Sequence, residues 1–188
     1  YFVQLYKLAR ILKILRRFDE AEQLCREGVE NGRRTLGSEH PELARRLEEL
    51  ADSLVHTQKN NEAEVCSREA LDIARQSMSA GDPRLIVYLG VLADALRGAG
   101  SLFEAETYYK EALDAGENLY GTDSVSYANL IVSLAASKLE AKSELEARLL
   151  LGDALKIYGK AIDAENPLTE IGVPEMASLI KIMSMVGS

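Results

Sequence analysis

One short pattern recurs every 42 residues along this 188-residue chain. Ala21, Ala63, Ala105 and Ala147 stand in register, and Gly28-Val29, Ala70-Leu71, Ala112-Leu113 and Ala154-Leu155 follow each of them. The acidic residue ahead of those pairs repeats as Glu27, Glu69, Glu111 and Asp153. A fixed period of this size is the signature of stacked helical hairpins, because each unit is too small to bury its own apolar face.

A second set of positions lies on the same grid: Leu50-Ala51, Leu92-Ala93, Leu134-Ala135 and Met176-Ala177. Leu47, Leu89 and Ile131 precede them by three residues, and Leu54 and Leu96 follow by four. These spacings set the side chains on one helical stripe, and the small Ala lets two helices approach closely. The apolar share is 47% with no Trp, so the core is expected to be Leu, Ala, Ile and Val, mixed with helix-forming Glu, Lys and Arg. No alternating apolar–polar run bounded by turns supports a strand.

The punctuation between helices also repeats. Leu36-Gly37-Ser38-Glu39-His40-Pro41 aligns with Met78-Ser79-Ala80-Gly81-Asp82-Pro83, with Tyr120-Gly121-Thr122-Asp123-Ser124, and with Ala164-Glu165-Asn166-Pro167. Proline suits a first helical turn, Asp82 and Asn166 suit N-caps, and Gly37 or Gly121 can end a helix. Tighter turns are expected near Arg17, Lys59-Asn60, Gly100-Ser101 and Lys142-Ser143. The spans follow: 2–16 with 19–35, 41–58 with 61–77, 83–98 with 102–119, and 124–140 with 143–163. The organisation expected is four helix pairs (1–35, 36–77, 78–119, 120–163) and then residues 164–188. Pro174 and Ile171-Gly172-Val173 predict an irregular link there, followed by a C-terminal capping helix. Leu8-Ala9 already falls on the grid, so the chain is expected to begin inside a longer protein, and any targeting segment would precede it.

Charge narrows the partners. The chain carries 30 acidic and 22 basic side chains, a net charge of −8, which as a whole repels phosphate and argues against nucleic acid. No stretch approaches the 18 apolar residues of a membrane span. Cys25 and Cys66 are expected to be reduced core residues of an intracellular, cytoplasmic protein. There is no Cys-His cluster for zinc, no Gly-rich phosphate loop after a strand and no nucleophile–histidine arrangement. Neither a cofactor nor a catalytic site is expected. Glu20-Ala21-Glu22, Glu62-Ala63-Glu64 and Glu104-Ala105-Glu106 recur in each unit, which assigns them to the repeat frame. His40, beside Pro41, is expected to cap or pack.

The stretches Phe18 to Leu54 and Leu92 to Gly121 resemble tetratricopeptide repeats of the kinesin-light-chain type, whose units run to about 42 residues. The loop pattern Leu-Gly-x-x-His-Pro is whole at Leu36 to Pro41 and degraded in later copies. The resemblance covers residues 1 to about 163. It implies an all-α fold: a right-handed α-solenoid of helical hairpins whose first helices line a concave groove. By that analogy the groove would present Tyr6, Arg10 and Lys13 from the first unit, and Arg45, Glu48, Asp52 and His56 from the second. Asp94 and Arg97 would come from the third and Asn129 from the fourth, with Val3, Ile14, Val55, Val87, Gly90, Val132, Ala136 and Leu139 beside them. A groove of mixed sign with apolar patches suits an extended or helical peptide.

The paired asparagines by which kinesin light chains hold cargo are absent: the matching stretches read Leu-Glu-Glu-Leu-Ala (47–51), Leu-Gly-Val-Leu-Ala (89–93) and Ile-Val-Ser-Leu-Ala (131–135). Glu48 and Asp52 would repel the C-terminal carboxylate that co-chaperone domains of this type clamp. The function expected is a non-catalytic scaffold that binds another protein. Self-association, or service as the regulatory arm of a larger enzyme or motor, is the alternative.

Overall fold

The computed structural model describes residues 2–79 and 81–163. Among them are eight helices and no strand: α1 (Phe2–Ile14), α2 (Phe18–Leu36), α3 (Pro41–His56), α4 (Asn60–Ser77), α5 (Arg84–Gly98), α6 (Leu102–Tyr120), α7 (Val125–Glu140) and α8 (Glu144–Asp163). Every boundary lies within two residues of its expected place. The expected link and capping helix at 164–188 lie outside the described residues. The chain forms two compact units, residues 1–105 and 106–188, with the division inside α6.

In the first unit, α3 packs against α2, α4 and α5, and α1 against α2. The periodic residues build this core. Ala21, Ala63 and Ala105 have no exposed surface, and neither do Leu47, Ala51, Leu54, Ala93 and Leu96. Close approach is built in at Gly32, where a Cβ would sit 3.2 Å from the Leu43 and Arg46 side chains of α3. The second unit has its own core of Ala128, Ile131, Val132 and Ala135 from α7 against Leu151, Ala154, Ile157 and Tyr158 from α8.

The tight turns repeat as faithfully as the helices. Arg16, Gln58, Gly100 and Lys142, each 42 residues from the last, all have a left-handed backbone, with φ of 59°, 61°, 85° and 59°. After each, an amide reaches back five residues: Arg17 to Leu12, Lys59 to Leu54, Ser101 to Leu96 and Ser143 to Lys138, at 2.8–2.9 Å. This is the Schellman closure, which satisfies carbonyls orphaned at a helix end. At the longer loops, His40 Nδ1 accepts from the Glu42 amide at 3.1 Å and so caps α3. Ser124 Oγ accepts from the Tyr127 amide at 3.1 Å to cap α7. Asp82 accepts from the Arg84 amide at 2.9 Å, one residue ahead of Pro83.

The recurrent carboxylates tie second helices to one another. Arg26 of α2 donates to both oxygens of Glu62 on α4, at 2.5 and 2.7 Å. One period later Arg68 of α4 donates to Glu104 of α6 at 2.6 Å. Each arginine also holds the glutamate four residues before it, Glu22 at 2.9 Å and Glu64 at 3.0 Å. Glu22 is only 4% exposed. Burial drives its pKa up, but Lys59, Thr57 and Arg26 all donate to it and hold it below the ordinary carboxylate value. In the second unit Lys138 joins Glu106 at 2.7 Å and Glu146 at 2.6 Å. These glutamates are therefore frame residues.

Candidate partner-binding face

In the first unit the expected site residues of α1 and α3 meet. Tyr6 and Arg10 lie one turn apart on α1, as 3.6 residues per turn requires. The Arg45 guanidinium of α3 stacks over the Tyr6 ring at 4.3 Å, and Arg10 lies 5.7 Å from the same ring. Such contacts fix a cation against an aromatic face for about 0.5–1 kcal/mol at exposed sites. Arg45 is also a fork on Glu42, at 2.9 and 2.5 Å. Arg10 has no ion pair among the described residues.

One turn further along α1, Lys13 donates to Glu49 at 2.9 Å and to Asp52 at 2.7 Å. Burial works against its charge, but the two carboxylates outweigh that and raise its pKa. His56 lies 3.7 Å from Asp52, and its ring stacks on Phe18 of α2 with centroids 4.6 Å apart. It thus serves the α2–α3 contact as well as facing the helix surface. On α5, Asp94 and Arg97 pair with each other at 3.3 Å.

One expectation about charge needs correction. Glu48 and Asp52 do not make a fully charged acidic centre. Asp52 is matched by Lys13, and burial together with Glu49 and Asp52 pushes Glu48 up to about 8, so it is largely protonated at neutral pH. Arg45 and Arg97 each hold an acid on their own helix.

Asn129 belongs to the second unit, where its Oδ1 accepts from the Tyr158 hydroxyl at 2.5 Å. Val132, expected at the surface, is buried in that unit's core. Sequence reasoning missed Glu42, Glu49 and Phe18. The available signal for Glu49 was spacing: a basic residue stands 36 residues before an acid at Lys13–Glu49, Arg26–Glu62, Arg33–Glu69 and Arg68–Glu104. That interval is one period shortened by about a helical turn and a half.

No group of three His, Cys, Asp or Glu among the described residues has a metal-binding arrangement. None of the described helices is long and apolar enough to cross a membrane. Both cysteines are free and buried, and burial pushes both thiols up.

Similar solved structures include BtubC (BKLC) from P. vanneervenii, 20% identical, with a TM-score of 0.75 over 98% of this chain and 72% of that one. A kinesin light chain-like protein of Podosopora anserina with nearly identical TPR-like repeats is 21% identical, TM-score 0.76, over 98% and 85%. A Rap protein complexed with Competence and Sporulation Factor is 18% identical, TM-score 0.78, over 99% of this chain and 49% of that one. At these identities the likeness is one of fold. No curated protein matches in sequence. The tetratricopeptide-repeat sequence profile matches residues 2–76 and 83–160, which together make up most of the chain. The chain belongs to the tetratricopeptide-repeat family.

Proposed function

We propose that this chain is a non-catalytic scaffold whose first-helix face, α1, α3 and α5 of the first unit, docks a peptide or helix of a partner protein. Proteins of this repeat family serve as interaction scaffolds, and the Rap protein of like fold is complexed with a factor. The observation that carries the reading is the character of the face. Arg10 has no acid partner among the described residues, and Val87 on α5 leaves 51% of its surface in solvent. An unmatched cation with an exposed aliphatic side chain on one rigid layer suits a segment that brings an acid and an apolar anchor. The reduced cysteines support a cytoplasmic setting. Changing Arg10→Glu together with Val87→Asp should weaken partner binding at least tenfold with the helical circular dichroism unchanged; unaltered affinity would sink the groove reading.

One observation favours self-association as a second reading. Leu8 and Ile11 are 45% and 52% exposed on α1. Their counterparts one to three periods later, Leu50 and Ser53, Leu92 and Ala95, Leu134 and Ser137, are buried. Light scattering across concentration separates the readings, because a peptide receptor stays monomeric.

A further inference from the structure

Where α1, α2 and α3 meet, the first unit keeps a half-open pocket of about 30 Å³. Cys25 and Gly28 of α2, Tyr6 and Ala9 of α1, and Arg45 and Arg46 of α3 line it. One period later the same place is packed. Ala51, Ser67, Ala70 and Tyr88 stand there in the positions of Ala9, Cys25, Gly28 and Arg46, and none is more than 3% exposed.

Two departures from the repeat account for the opening. Gly28 replaces the alanine of the other three units, Ala70, Ala112 and Ala154, and a Cβ on it would meet nothing within 4 Å. Arg46 replaces the buried Tyr88 and directs its guanidinium to the Gly28 carbonyl, at 2.9 Å.

The lining decides the ligand. It is mostly apolar, and its polar members already hold partners. Arg45 forks on Glu42, Glu49 accepts from Lys13, and Cys25 Sγ lies 3.5 Å from Ser53 Oγ. A bound water needs two to four polar partners, so such a space favours an apolar occupant. An apolar cavity that admits benzene measures about 150 Å³. This one holds the methyl end of an aliphatic chain and no ring. Tyr6 and Arg45 belong both to the pocket and to the first-helix face, so the two surfaces are continuous.

Resting on the docking face proposed above, we infer that the pocket beside Cys25 and Gly28 takes a branched aliphatic side chain, Leu, Ile or Val, of the docked segment. Each methyl group buried there adds about fourfold in affinity.

The test titrates the ¹⁵N-labelled 188-residue chain with N-acetyl-leucinamide, N-acetyl-alaninamide and N-acetyl-phenylalaninamide, followed by NMR. The leucine probe should bind at least fivefold more tightly than the other two and shift the amides of Ala9, Leu24, Cys25 and Gly28. Gly28→Ala, which restores the alanine of the other units, should raise the melting temperature yet remove those shifts. The pocket is overturned by no leucine-dependent shift at these four amides, an equal response to alanine, or tighter binding of phenylalanine. A leucine response that survives Gly28→Ala, or a fall in that variant's melting temperature, overturns it too. Peptides selected from a display library against the native chain should bind Gly28→Ala at least fivefold more weakly. Undiminished affinity with shifts still centred on Tyr6, Arg10 and Arg45 overturns the pocket alone, whereas shifts centred on α4 and α6 overturn the docking face as well.

Discussion

Lys13 Nζ lies 2.7 Å from Asp52 Oδ2 and so couples the first helices of two successive hairpins, 39 residues apart in sequence. With Glu49 as its second acceptor, this lysine does for first helices what Arg26 and Arg68 do for second helices. The two layers of the first unit are therefore clasped independently.

Removing the lysine leaves two adjacent carboxylates, half-buried and uncompensated. Lys13→Met should lower stability by about 2 kcal/mol, between the value of an exposed pair and the 3–5 kcal/mol of a fully buried one. Lys13→Arg should recover most of the loss. Urea melts followed by circular dichroism report both.

Glu48 predicts a pH dependence of defined sign. Its folded pKa of about 8 stands above the ordinary glutamate value, so the folded state binds the extra proton. That contribution is fully present below the unfolded pKa, near 4.3, and is lost as pH rises through about 8. Glu48→Gln should therefore raise the melting temperature more at pH 8 than at pH 5. An equal change at both values would show that the carboxyl titrates normally.

The turns offer a gain in stability. Arg16, Gln58 and Lys142 hold the left-handed geometry that Gly100 supplies without a Cβ penalty. Each change to glycine should stabilise the chain by about 0.5–1 kcal/mol, and Gly100→Ala should cost a similar amount. Thermal melts of the four single variants check this.

The period made the helices and core legible because burial recurs with the repeat: Ala21, Leu47 and Leu54 occupy positions that must be small or apolar in every unit. It did not reveal the left-handed residues, since three of the four turns carry side chains that give no glycine signal. The first-helix positions were legible as a set, but the state of their charges was not. Whether Arg45 is free depends on the Glu42 rotamer, and whether Glu48 is ionised depends on its burial and on Glu49 and Asp52. Those are properties of packing across helices, which one-dimensional spacing carries only weakly.

The central claim, that partners dock on the first-helix face, is tested most directly by mapping where selected peptides bind. Peptides chosen from a random display library against the full chain should, on amide hydrogen exchange and NMR titration, protect and shift residues around Tyr6, Arg10, Arg45 and Val87. Protection centred on Val65 or Phe103, which are exposed on the second helices α4 and α6, would contradict the account.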